Sequence, residues 1–314
     1  MGVTLTLPRG EGVSVLRLSL FGTSLAIALA GCATREPPPA DRLVDDLGHP
    51  VALAGPARRI VSLSPSTTEL LFAIGAGGSV VGRTRWCDFP PEATSVPSVG
   101  DGLNPNLELV LSQKPDLVLF YASAANQGVI TRLDGLGLAA ASVRLDRLDD
   151  VPRVARMLGR LTGAAARADA LAARFAAELD SARAAGGAAT RPGGDQRTQR
   201  VALVSWDNPP IIIGAGSFLT DLIELAGAHN VFDDVARSSA QTGIEAIAAR
   251  DPDMLLVLGE GIPAFAGRPE WQVVPAVRRR HFVAVQGSEF ERPGFRSLEA
   301  VRTLRAALSR GPVR

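Results

Sequence analysis

The chain has 314 residues, of which 46% are hydrophobic and 21% charged, a composition typical of a globular protein with one or two cores. The formal net charge is +1, and the arginines are scattered along the chain. Nucleic-acid binding depends on a concentrated basic surface that releases counterions, so DNA- and RNA-binding functions are excluded.

The N-terminus has the pattern of a lipoprotein signal peptide over residues 1–31. Arg17 precedes the apolar run LSLFGTSLAIALA, which is too short for a membrane anchor and leads into LAGC at Leu29–Cys32. A small-residue site directly before a cysteine predicts that Cys32 is lipidated after cleavage. The alternative is an ordinary cleaved signal peptide followed by a chance cysteine. We expect a periplasmic or cell-surface protein that is lipid-anchored to a membrane, with a tether and leader over residues 32–56.

The next segment predicts an N-terminal α/β lobe over residues 57–150. Short β-branched or leucine-rich runs alternate there with helical segments, which is typical of a mostly parallel sheet. These runs are RIVSLS (59–64), VVGRT (80–84), LVLFY (117–121) and ASVRL (141–145). After the first run, Ser66 and Glu69 have the spacing of a capping box, which predicts a structural role for Glu69.

The stretch RTRWCDFPPEA (83–93) combines two aromatic residues, one thiol and two prolines at the end of a strand. Pro90 and Pro91 predict a surface loop, so we expect Trp86 and its neighbouring phenylalanine at a rim. If Cys32 is lipidated, Cys87 has no disulfide partner. We interpret Cys87 as a small buried or rim-filling thiol, not as a nucleophile.

A helix and a second lobe follow. From Val151 to Ala182 apolar residues recur at steps of three and four, which predicts one long helix over 151–186. Further strand-like runs predict a C-terminal α/β lobe over 187–314. These runs are RVALVSW (200–206), PIIIGAG (210–216), MLLVLGE (254–260) and HFVAVQG (281–287). The fold class is therefore α/β, with two Rossmann-like lobes joined by a single long backbone helix.

Several classes of function lack the residues that they need. The histidines at 49, 229 and 281 do not lie on matching strand ends, which argues against a zinc or manganese receptor and predicts no metal site. Neither glycine-rich stretch, GAGG (75–78) or GAGS (214–217), completes a dinucleotide fingerprint, and no serine has a nucleophile elbow. We predict that the protein is not an enzyme and has no cofactor.

A family resemblance covers nearly the whole mature chain. It is carried by DDLGHPVAL with GPARRIVSLSPSTTELLFAIGAG, VVGRTRWCDFPPEA, VGDGLNPNLELVLSQKPDLVL, the long helix, GSFLTDLIELAGAHNVF and ERPGFR. These segments resemble cluster III solute-binding proteins of ABC transporters, and most of all the cobalamin-binding branch. The resemblance implies two lobes with a ligand between them, and delivery of that ligand to a permease dimer with its ATPase. It leaves haem and iron-siderophores open as ligands, and ligand sensing or adhesion open as a role outside transport.

The resemblance also implies roles for individual residues. A large rigid chelate is held by flat apolar walls, which would be Trp86 in the first lobe and Trp206 in the second. Phe290 would close the far side with Arg292 and Arg296, whose guanidinium groups would donate to ligand carbonyl or carboxylate groups. The alternative is that the three aromatic residues fill the lobe cores.

Two glutamates, Glu108 and Glu224, resemble the docking residues of the family. One lies near the start of a helix in each lobe, and the apolar pattern of the second helix puts Glu224 on the solvated side. They would pair with arginines of the permease. The alternative for Glu108 is a favourable interaction with the helix dipole alone. We expect the protein to be a monomer.

Overall fold

A computed structural model describes residues 43–102, 105–189 and 198–313 of the chain. The predicted signal peptide, the lipidation site Cys32 and residues 33–42 of the tether lie outside these residues. So does most of the glycine-rich loop that precedes the second lobe. Among the helices that the structure does describe, none combines the length and apolar character needed to cross a membrane.

The N-terminal lobe is built on a four-stranded sheet in the order β2-β1-β3-β4, with every pair parallel. Its strands are β1 (Ile60–Ser62), β2 (Val80–Arg83), β3 (Leu117–Tyr121) and β4 (Ala139–Val143). Its helices are α1 (Pro65–Ala73), α2 (Leu107–Ser112) and α3 (Gln127–Gly135). Only β4 is displaced from its predicted run, by two residues.

The leader packs on this lobe along the open edge of β4. The Asp45 carboxylate accepts a hydrogen bond from the Ser142 backbone N–H at 2.9 Å, and Asp46 accepts one from the Arg144 N–H at 2.6 Å. The leader therefore satisfies backbone donors at a sheet edge that would otherwise be free for pairing. The leader is therefore packed against the lobe at Asp45 and Asp46.

Two helices follow the N-terminal lobe, α4 (Asp150–Thr162) and α5 (Ala165–Ala189). The chain reverses between them at Gly163, whose φ of +75° is a conformation that glycine adopts at little cost. Arg183, late in α5, pairs with Asp149, just before α4, at 2.7 Å between Nη2 and Oδ2. The two helices are therefore antiparallel neighbours.

The prediction of one continuous helix over 151–186 is corrected by this reversal, and α5 alone connects the lobes. Near its start, Arg167 Nε donates to the Ala73 carbonyl of the first lobe at 3.0 Å. Further along, the Phe175 ring packs edge-on against Phe295 of the second lobe, with 5.8 Å between ring centroids. The predicted fold class, two α/β lobes with a long helix between them, is confirmed.

The C-terminal lobe contains a sheet in the order β10-β9-β5-β6-β8, with β7 pairing separately with β5. Its strands are β5 (Gln199–Asp207), β6 (Pro210–Ile213), β7 (Ala228–Asn230), β8 (Ser239–Gln241), β9 (Met254–Leu258) and β10 (Phe282–Val285). Its helices are α6 (Phe218–Leu225), α7 (Ile244–Ala249), α8 (Pro275–Arg278) and α9 (Ser297–Arg310). The β5, β7, β9 and β10 pairs are parallel, whereas β6 is antiparallel to both of its neighbours.

The largest core cluster spans both lobes. It extends from Leu71 of the first lobe through Phe175 of α5 to Leu304 of α9. The opposite face of each sheet has its own cluster, with Phe120 in the first lobe and Trp271 in the second. Because apolar packing is continuous from one lobe to the other, the connection is a packed core and not a flexible linker.

Candidate ligand-binding site

Large apolar side chains are exposed at the carboxyl ends of strands in both lobes. We call four of them the apolar rim: Trp86, Tyr121, Trp206 and Leu258. Trp86 follows β2 and Tyr121 ends β3, whereas Trp206 lies near the end of β5 and Leu258 ends β9. Open α/β sheets bind ligands beyond the carboxyl ends of their strands, so the apolar rim lies where a ligand is expected.

The two predicted tryptophan walls belong to this rim. Trp86 is 60% exposed and Trp206 is 59% exposed, so neither side chain fills a lobe core. The Trp206 indole is oriented by a 2.8 Å hydrogen bond from its Nε1 to the Asn208 carbonyl. The Arg85 guanidinium lies 5.2 Å from the centre of the Trp86 ring, within the range of a cation–π contact.

Phe290 is in a different environment from these tryptophans. It is 2% exposed and belongs to the large core cluster that spans both lobes. Phe290 was expected to close the far side of the ligand site. The structure instead supports the alternative, that Phe290 is a core residue. Its aromatic ring contributes buried apolar area instead of a ligand wall.

Arg296 carries an ion pair between the lobes. Its Nε and Nη2 donate to the two carboxylate oxygens of Glu69 at 2.9 and 2.7 Å, and its guanidinium carbon lies 3.7 Å from the centre of the Phe89 ring. Glu69 is buried, so the two hydrogen bonds of this bidentate pair compensate for the hydration that both charges lose. The predicted capping box is wrong: α1 begins at Pro65 with Ser64 as its N-cap, and the Glu69 side chain points to the other lobe.

Arg292 lies in the same ERPGFR stretch as Arg296. It contacts the loop that follows β2 and carries Trp86, which we call the Trp86 loop. Its Nη1 donates to the Trp86 carbonyl at 3.0 Å, and its Nη2 pairs with the Asp88 carboxylate. The Arg292 side chain is 5% exposed. Both predicted ligand-binding arginines are therefore engaged by the first lobe, a pairing that no local sequence pattern signals.

A second polar contact joins the lobes at the start of α4. The Arg147 guanidinium pairs with Asp221 of α6, whose Oδ2 also accepts the Leu148 backbone N–H at 2.9 Å. Beside it, the Phe218 N–H donates to the Asp146 carbonyl at 2.6 Å. The lobes are thus joined by polar contacts at two separate places, in addition to the shared core.

Tyr121 is a candidate that the sequence analysis missed. Its hydroxyl donates a 2.7 Å hydrogen bond to Asp146 Oδ1, and the ring is 41% exposed at the end of β3. Partial burial and the hydrogen bond to Asp146 raise the pKa of Tyr121 to about 12. An available signal was that this is the one tyrosine of the chain and that it ends a predicted strand.

A comparison with protein families identifies the chain. The family model described as periplasmic binding protein matches residues 60–288. The chain belongs to the periplasmic binding protein family. Members are extracytoplasmic solute-binding proteins, not enzymes, and work with the permease and ATPase of an ABC transporter.

The chain is similar to a substrate-binding lipoprotein, to a vitamin B12-binding protein and to a heme-binding protein. The substrate-binding lipoprotein YvrC of Bacillus subtilis (strain 168) is 29% identical over 89% of this chain and 92% of its own length. The vitamin B12-binding protein of Pectobacterium carotovorum (strain PC1) is 26% identical over 80% of this chain and 88% of its own. The solved heme-binding protein RhuT of Roseiflexus sp. RS-1 is 26% identical, with a TM-score of 0.69 over 80% of this chain and 97% of its own.

The two glutamates with predicted docking roles lie on exposed surfaces of this periplasmic binding protein. Glu108 lies in the first turn of α2, where Asn106 Oδ1 accepts the Glu108 and Leu109 backbone N–H groups at 3.0 and 3.2 Å. Glu224 lies in α6 and is exposed, as the apolar pattern predicted. Each lobe therefore presents one of these two glutamates to solvent.

Cys87 is fully buried, as predicted, and lies 3.2 Å from the hydroxyl groups of both Thr68 and Thr84. Within the described ranges, no group of three or more histidine, cysteine or acidic residues is arranged to hold a metal ion. A cavity of about 480 Å³ lies between α3 and β4, and another of about 400 Å³ lies between α5 and α9. Neither cavity is lined by a residue of the apolar rim.

Proposed function

We propose that this protein is the solute-binding lipoprotein of an ABC importer that captures a corrinoid, cobalamin, between its lobes and delivers it to the permease. One observation carries the proposal. An exposed tryptophan lies at the carboxyl end of the sheet in each lobe, Trp86 in the first and Trp206 in the second. Two flat apolar surfaces of this kind suit a large rigid macrocycle, whose amide groups need few polar partners. The name of the vitamin B12-binding relative supports the same ligand.

The chemistry of the rim favours a corrinoid over haem. Haem iron is held in proteins by an axial histidine, cysteine, methionine or tyrosine, and Tyr121 is the rim residue of these types. The Tyr121 hydroxyl already donates to Asp146 Oδ1 at 2.7 Å, so ligation of an iron would require this hydrogen bond to break. The three histidines lie in the leader, in β7 and directly before β10. A corrinoid needs no such ligand because its cobalt arrives already coordinated.

Haem is the second candidate, favoured by the similarity to RhuT. Isothermal titration calorimetry with cyanocobalamin, haemin and a ferric hydroxamate separates the candidates. We expect cyanocobalamin to bind most tightly, with a negative heat-capacity change from apolar burial. Tighter binding of haemin or of the hydroxamate would reassign the ligand, and absence of binding to all three would favour a sensing or adhesion role.

We further propose that the mature protein is a lipid-anchored monomer. The LAGC sequence that ends at Cys32 and the name of the lipoprotein relative support the anchor. Because lipidation requires the Cys32 thiol, we expect Cys32→Ser to abolish labelling by a radioactive or clickable fatty acid and to release the protein from membranes. Cys87→Ser is the matched control, since its thiol is buried, and it should still be labelled. Persistent labelling of the Cys32 variant would refute the assignment.

A further inference from the structure

We propose that Arg292 is a positioning residue that holds Trp86 in place for the ligand and does not itself contact the ligand. The Arg292 side chain comes from the second lobe, whereas the loop that it holds belongs to the first. Arg292 therefore sets the position of one tryptophan wall relative to the other. The role in affinity rests on the proposed function, but the positioning itself is a property of the ligand-free protein.

The contacts of the guanidinium define this role. Its Nη1 donates to the Trp86 carbonyl at 3.0 Å, its Nη2 pairs with Asp88, and its Nε donates to the Ser288 carbonyl at 3.4 Å. The side chain is 5% exposed. A buried cation is costly unless its hydrogen-bond donors are satisfied, and here the Trp86 loop satisfies two of its nitrogens. The third nitrogen, Nε, also lies 4.0 Å from Glu69 Oε2, so the guanidinium contacts both the Trp86 loop and α1 of the first lobe.

The neighbours of Trp86 are anchored within the first lobe, since the Arg85 N–H donates to the Gly100 carbonyl at 3.0 Å and the Cys87 thiol is buried beside Thr68 and Thr84. Arg292 adds the restraint that comes from the second lobe. Within its own lobe, the Trp86 N–H donates to Thr84 Oγ1 at a long 3.3 Å, and the Cys87 N–H donates to the Thr84 carbonyl at 3.2 Å. The indole is 60% exposed, and the Arg85 guanidinium lies 5.2 Å from the centre of its ring. The Trp86 carbonyl, which accepts the hydrogen bond from Arg292, directly follows the Cα from which the indole projects.

Trp206, the opposite wall, lies on β5 of the lobe that supplies Arg292. A bidentate guanidinium restrains both distance and angle, which a single flexible contact does not. Preorganised walls bind a rigid ligand more tightly, because less conformational entropy is lost on binding. Removing the Arg292 fork is therefore expected to loosen Trp86 and to weaken ligand binding through Trp86.

Time-resolved tryptophan anisotropy tests the positioning without any ligand. In a Trp206→Phe background, Trp86 is the exposed tryptophan, because the third one, Trp271, is fully buried. Arg292→Met is expected to increase the amplitude of fast Trp86 motion. The matched control is Arg147→Met, which removes an arginine that joins the lobes away from the Trp86 loop and is expected to leave Trp86 motion unchanged. Unchanged Trp86 motion in folded Arg292→Met would overturn the proposal.

Arg292→Lys covers the case in which the methionine variant fails to fold. Lysine keeps the charge but lacks the fork, so it should give an intermediate increase in Trp86 motion. If Trp86 is as rigid in the folded Arg292 variants as in the parent protein, the positioning role is contradicted.

A double-mutant cycle with cyanocobalamin tests the consequence for binding. With Trp206 intact, Arg292→Met is expected to weaken binding about tenfold when Trp86 is present and less than threefold in the Trp86→Ala variant, since coupled residues are not additive. Fully additive losses would overturn the proposal. If Trp86 becomes mobile but cyanocobalamin does not bind even the wild type, positioning holds and the proposed ligand fails. If cyanocobalamin binds and Trp86 stays rigid, only the positioning fails.

Discussion

Replacing either rim tryptophan with alanine is expected to weaken cobalamin binding at least tenfold, about 1.4 kcal/mol, while the melting temperature changes little. The physical reason is that Trp86 and Trp206 are 60% and 59% exposed, so each contributes to the ligand surface much more than to the core. Surface substitutions outside core packing usually change stability by less than about 0.5 kcal/mol. Calorimetric titration and thermal unfolding of the same preparations measure both quantities.

The third tryptophan supplies the control. Trp271 is fully buried and packs against Phe265, with 4.2 Å between ring centroids. Trp271→Ala should destabilise the protein by about 3–5 kcal/mol, because it removes a large buried side chain and leaves a cavity. The fraction that stays folded should bind cobalamin normally. Early melting of the Trp86 and Trp206 variants, with normal affinity per folded molecule, would return these two residues to a structural role.

Charge reversal of both exposed glutamates, Glu108→Arg with Glu224→Arg, is expected to abolish most transport in a reconstituted importer and to leave ligand affinity unchanged. Two attractive pairs with permease arginines would become two repulsions, each costing several kcal/mol. Either single reversal should have a smaller effect. Added salt should weaken docking of the wild type, as it does for solvent-exposed ion pairs. Transport rate, permease binding and cobalamin affinity are measured in parallel.

Asp134→Arg with Glu245→Arg is the matched control for this pair. Both residues are exposed, one on α3 of the first lobe and one on α7 of the second, and their reversal changes the net charge equally. This control should transport normally if docking depends on position and not on total charge. Normal transport by the Glu108/Glu224 double variant would refute the docking role. Loss of ligand binding would instead assign these glutamates to the ligand site.

Local pattern was sufficient to predict most of the framework from the sequence. The strand runs around Val61, Val118 and Leu256 form strands in the structure, because β-branched and leucine-rich segments between turn signals carry their own structural preference. The exposure of Trp86 was also predictable, since Pro90 and Pro91 make the following backbone unsuitable for a buried strand. The apolar pattern of α6 likewise predicted the exposed position of Glu224.

Other features were beyond local pattern because they depend on which segments meet. Apolar steps of three and four continue on both sides of Gly163, so periodicity alone cannot distinguish a bent helix from two antiparallel ones. Glu69 has the spacing of a capping residue, but its charge is neutralised by Arg296, which is 227 positions away.

Site residues that local pattern can place differ in the same way from those that depend on long-range contacts. The sequence by itself determined that Trp86 lies in an exposed loop after a strand, because proline and strand signals act on neighbouring residues. Only the tertiary structure decided that Phe290 lies in the core, that Arg292 and Arg296 grip the opposite lobe, and that Asp146 holds the Tyr121 hydroxyl. Long-range ion pairs and hydrogen bonds depend on which segments the tertiary fold places in contact. The spacing of residues along the chain does not predict them.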